Sequence, residues 1–135
     1  MQNYFHVAEL IPPTLFEKYG ESRAWNFVNK RAFENLAKLR EYVGHSFIIN
    51  NYKTGGPREW SGLRTPDSPY YKDTSQHTLA NAYDIQCPDL EPKELQDIVQ
   101  KVYADYDIGG LELAPTWTHI DWRFNPDDSL TIIRL

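Results

Sequence analysis

His77, Asp84 and His119 are the residues of this chain whose types and spacing offer chemistry. Two imidazoles and a carboxylate form the donor set of a catalytic zinc site, with a fourth position left open to water. Zinc held this way polarises a carbonyl and lowers the pKa of water toward about 7, so an amide can be cleaved without a protein nucleophile. A base must also accept that water's proton. Asp121, two residues past His119, and Glu112 upstream are the carboxylates at hand. Asp121 equally suits orienting His119 or pairing with Arg123. Arg64 offers a planar fork of donors that suits a substrate carboxylate.

Strand periodicity brings these groups together. Side chains alternate faces along a strand. Over residues 118–124, Thr118, Ile120, Trp122 and Phe124 share one mostly apolar face, while His119, Asp121 and Arg123 share the other. In a strand from Ala82 to Cys87, Asp84 lies with Ala82 and Gln86, opposite Tyr83, Ile85 and Cys87. If the two strands are neighbours, Asp84 and His119 converge on one polar face.

The remaining elements follow from spacing and breakers. A short helix is expected at 14–19 behind Pro12-Pro13. A longer one is expected from Ala24 to Val43, with an apolar stripe at steps of three and four and Gly44 as its stop. Phe47-Ile48-Ile49 predicts a short buried strand at 46–50. Residues 51–76, rich in Gly and Pro, form a long loop that runs into Ser75 and His77, and a loop of this length is usually functional. Trp60, Tyr70, Tyr71 and Trp117 are candidates to line its cleft. A second long helix begins at Pro92, and strands are expected at 111–114, 118–124 and 130–134, the last two joined by a turn at 125–128. Two helices and several strands without strict alternation point to an α+β domain with a mostly antiparallel sheet and helices packed on one face.

Ser75-Gln76-His77-Thr78-Leu79-Ala80-Asn81-Ala82-Tyr83-Asp84 resembles the S-x-H-x-x-G-x-A-x-D signature of the zinc D-alanyl-D-alanine peptidases. Trp117-Thr118-His119 is similar to the family's C-terminal ligand element, and Ser61-Gly62-Leu63-Arg64-Thr65-Pro66 to its S-G-Y-R-T/S-P turn. The likeness covers roughly residues 8 to 124 and is nearest to phage-encoded single-domain members. It implies a Hedgehog/D,D-peptidase-like fold and His77, Asp84 and His119 as ligands of one zinc. It further implies a substrate-facing Arg64 and hydrolysis of peptide bonds in bacterial peptidoglycan. Two positions depart from the pattern: the motif glycine is Ala80, and Thr116 stands where many members carry an acid three residues before the last histidine. These departures leave a second reading, a structural or binding protein such as a virion component that keeps the fold without turnover.

Composition bounds the rest. At 135 residues the chain is expected to form one domain, 1–135. A 41% hydrophobic and 14% aromatic content speaks against disorder, and a net charge of −5 against a general nucleic-acid binder. No apolar run approaches the roughly 20 residues of a membrane span, and no secretion signal is read at the N-terminus. The expectation is a protein made in the cytoplasm and acting on the cell wall after release or as part of a virion.

Overall fold

The computed structural model describes residues 4–134; the ends of the expected domain, 1–3 and 135, lie outside the described residues. Pro13 opens α1 (Pro13–Ala24), because the first helical N–H has no partner to lose there. This helix is longer than expected and breaks at Gly20, whose φ of 75° is one that L side chains avoid. The expected helix from Ala24 is also divided. Trp25–Phe27 form a separate 3₁₀ turn, and the Asn29 side chain accepts the Ala32 N–H at 3.1 Å, capping α2 (Lys30–Val43). Gly44, in the left-handed conformation, closes α2 as expected, its N–H donating to the Arg40 carbonyl. Pro92 opens α3 (Pro92–Val102), and at its start the Glu91 N–H donates to the Glu94 carboxylate at 3.0 Å.

Four strands, β1 (Ala82–Ile85), β2 (Gly110–Leu113), β3 (Thr118–Asp121) and β4 (Thr131–Arg134), form one sheet in the order β1-β3-β2-β4. The fold is α+β, and its sheet is mixed. β3 runs antiparallel to both β1 and β2, but β4 lies parallel to β2. β4 does not pair with β3, because β1 and β2 already fill both edges of β3. The turn at 125–128 exists, but Asn125 donates to the carbonyls of Gly109 and Ser129 and so delivers the chain to the free edge of β2.

The strand expected at 46–50 is reduced to a single bridge between Ile48 and Gln86. Asn50 draws the chain away: its N–H donates to Glu9, its amide to the Ile11 carbonyl, and its side-chain oxygen accepts the Ser61 N–H. This ties the loop before Arg64 to the body of the protein.

Tyr83, Ile85, Leu111, Ile120 and Trp122 join Leu36 and Leu39 of α2 and Leu95 and Val99 of α3 in one buried cluster. The apolar stripe of the 118–124 segment ends at Trp122, since Phe124 is 87% exposed. No helix among the described residues is long and apolar enough to cross a membrane.

Candidate metal centre

Register places the polar groups. Asp84 on β1 is the direct partner of His119 on β3, and His119 is in turn the partner of Glu112 on β2. Because side chains alternate, Asp84, His119 and Glu112 form a row on the sheet face away from the core. Asp121 occupies the next row, between Ala82 and Gly110.

His77 reaches this row from the loop before β1. Gly62 makes that possible by lying against Leu10, where a Cβ would meet the Leu10 carbonyl oxygen at 2.3 Å. The Gly62 carbonyl then accepts from His77 Nδ1 at 2.8 Å, which leaves Nε2 facing Asp84 Oδ1 at 3.2 Å. On the other side His119 Nε2 donates to Asp121 Oδ2 at 2.8 Å, and its Nδ1 faces the same Asp84 oxygen at 2.9 Å. Each histidine thus has one nitrogen anchored and the other turned to Asp84. One ligand atom from each of His77, Asp84 and His119 lies within 4.8 Å of the others, so the group could hold a metal ion.

The supporting groups are buried and paired. The Asp121 side chain is 0% exposed; it accepts from His119 and, through both oxygens, from Arg123 Nε at 2.8 Å and Nη2 at 2.6 Å. Arg64 donates from Nη2 to Asp84 Oδ2 at 3.1 Å and from Nε to the Trp60 carbonyl at 2.8 Å, with its guanidinium 5.5 Å from the Tyr70 ring.

The charges follow from these contacts. Burial pushes the Asp84 carboxyl up, but hydrogen bonds from His119 and His77 outweigh it and hold the group well below its ordinary range. Asp121 is pulled down to about 2 in the same way, by Arg123 and His119 acting against burial. Burial alone would lower His119; its bonds to Asp121 and Asp84 raise it to about 9. Desolvation lowers Arg64, and Asp84 partly offsets it.

A cavity of about 590 Å³ opens in front of the row, lined by His77, Asp84, His119, Glu112, Arg123 and the loop residues Tyr70 to Gln76 other than Asp73. A second cavity, about 480 Å³, adjoins it and is lined by Arg58, Glu59 and Trp60; Arg64, Tyr70, Asp84 and Trp117 wall both.

Comparison with protein-family models, with curated proteins and with solved structures finds no match to this chain.

The residues singled out from the sequence meet at one place: His77, Asp84, His119, Asp121 and Arg64 are linked by direct hydrogen bonds. The loop before His77 walls the cavity, as its length suggested. Asp121 lies behind His119 and does not line the cavity, whereas Glu112 does. Thr116 is exposed and borders a separate depression beside Cys87 and Leu90. Ala80, at the motif glycine, has φ 56°. Away from the site, His6 caps a 3₁₀ turn and His45 pairs with Asp89.

Two contributions escaped sequence reasoning. Nothing local marks the Gly62 carbonyl as the anchor of His77. Nor does anything mark Gly110, where a Cβ would fall 2.2 Å from the Asp121 carboxylate. The Gly109-Gly110 pair is the one visible signal of a close approach there.

Proposed function

We propose that this protein is a zinc metallopeptidase of the D-alanyl-D-alanine peptidase type, with a Hedgehog/D,D-peptidase-like fold, that cleaves peptide bonds in bacterial peptidoglycan. The observation that carries the reading is the trio His77, Asp84 and His119, each histidine anchored through its other nitrogen. Pre-orientation of this kind is what metal-binding histidines require, because a hydrogen bond to one ring nitrogen fixes the tautomer and aims the other. Two nitrogens and one carboxylate oxygen, with a cavity in front, suit an open zinc site. The resemblance of residues 75–84, 61–66 and 117–119 to the peptidase signatures supports the substrate class.

Bound here, zinc would supply Lewis-acid polarisation of the scissile carbonyl and of a water. The chain's own groups do the rest. Asp121 holds the His119 ring in place, and Arg123 fixes Asp121. Arg64, on the wall shared by both cavities, is placed to take a substrate carboxylate or carbonyl beside Asp84. Trp60, Tyr70 and Trp117 flank the path with broad apolar surfaces.

Purified protein loaded with zinc should release amine termini from peptidoglycan, and His119→Ala should abolish the release. Zinc-loaded, folded protein that is silent on several peptidoglycan types would instead favour the structural or virion reading, to which the missing acid at Thr116 points.

A further inference from the structure

We propose that Glu112 is the carboxylate that moves the proton during hydrolysis in this cleft, a role that rests on the metallopeptidase reading above. The first support is position. Glu112 is the β2 partner of His119, opposite the side on which Asp84 pairs, so it shares their face. Directly opposed residues hold their Cβ atoms about 4.5–5.5 Å apart, and a glutamate spans that distance toward the space before His119. The second is access. Glu112 lines the same cavity as His77, Asp84 and His119, while Asp121 and Thr116 do not.

The third is availability. Both Asp84 oxygens and both Asp121 oxygens are engaged by histidine or arginine. Glu112 is half-buried, and its side chain has no hydrogen bond or ion pair among the described residues. It is the carboxylate in the cavity free to accept a proton. Arg64 and Arg123 line the same cavity, and His119 faces it from β3. The position three residues before His119 need not carry an acid when the neighbouring strand supplies one.

Glu112 takes a proton from a water as the water oxygen bonds to the amide carbon and the carbonyl π pair moves onto its oxygen. The C–N bond then breaks with its electron pair going to nitrogen, and Glu112 returns the proton there. One water is consumed, and a carboxyl group and an amine are formed.

The test uses the zinc-loaded full chain and its Glu112→Gln variant, which keeps side-chain shape. Zinc stoichiometry in equilibrium dialysis should be unchanged, because Glu112 is not a ligand. Release of amine termini from peptidoglycan should fall by about 10²–10⁴-fold. An independent readout is titration of a phosphinate analogue of D-alanyl-D-alanine in buffers of different ionisation enthalpy. Wild type should take up about one proton per phosphinate bound, and Glu112→Gln none. Unchanged turnover, or unchanged proton uptake, in the variant overturns the proposal. A wild type silent on peptidoglycan defeats the peptidase reading, while the difference in proton uptake still decides Glu112. A zinc-loaded wild type that binds no phosphinate defeats both.

Discussion

Gly110 lies directly opposite Asp121 in the β2–β3 ladder, and a methyl group on it would fall 2.2 Å from the Asp121 carboxylate. The carboxylate is fully buried and holds both His119 and Arg123, so it has nowhere to retreat. Gly110→Ala should therefore destabilise the fold by about 1–3 kcal/mol, the usual range for overpacking. It should also weaken zinc binding by about 10–100-fold, because His119 loses its fixed orientation. Thermal denaturation and competition with a chromogenic chelator measure the two effects.

Ala80 is expected to respond in the opposite direction. Its φ of 56° belongs to the left-handed region. That conformation costs a side chain roughly 1–2 kcal/mol, more than the roughly 0.4–1 kcal/mol of unfolded-chain entropy that glycine adds. Ala80→Gly should stabilise the protein by roughly 0.5–1 kcal/mol and raise Tm by about 2–5 °C. A lower Tm would show that the methyl group contributes packing that outweighs the strain.

His119 gives a pH dependence with a defined sign. Burial opposes its protonation, but Asp121 and Asp84 prevail and raise it from 6.5 to about 9. In the metal-free protein this stabilisation is fully present below pH 6.5 and is lost as pH rises through about 9. A metal requires the neutral ring, so it competes with that proton. Zinc binding at neutral pH should release a proton from His119, and apparent affinity should climb until about pH 9. Calorimetry in buffers of different ionisation enthalpy counts the protons, and a count of zero would show that the ring is already neutral.

Asp121→Asn separates orientation from proton transfer. The amide would keep the shape of the side chain but lose the charge that holds Arg123 and His119. Zinc affinity should fall about 10–100-fold, while the rate per bound zinc stays within about tenfold of wild type. A loss of two or more orders of magnitude per bound zinc would restore Asp121 as the base. His119→Ala, in contrast, should bind no zinc near neutral pH.

The site was more legible in the sequence than the topology that assembles it. Period-two alternation placed Asp84 and His119 on polar faces, and their register as direct partners follows from those faces meeting. Asp121's bond to His119 was legible as one of three options, since a neighbour two residues away on a strand shares its face. Gly62 and Gly110 were not legible, because what each meets, Leu10 or Asp121, is distant in the chain. The turn before β4 was legible, but no local signal shows that both edges of β3 are taken and that β4 pairs with β2 instead. The helix break was available in Asn29, a good cap, yet the apolar stripe ran through it from Trp25 and outweighed the single residue.

The strand order β1-β3-β2-β4 ties assembly of the site to the order in which the chain can fold. β1 and β2 do not bond each other; each needs β3 between them, and β3 follows both in the chain. His77 and Asp84 therefore wait, without their third partner, until a segment 35 residues beyond Asp84 inserts. Closing a loop of that length is paid before the β1–β3 ladder is gained, which slows the step. The pairing of β1 with β3 is the same event that brings His119 to Asp84. A newly made chain would thus have no competent metal site before β1 and β3 have paired, and metal capture would report on that pairing.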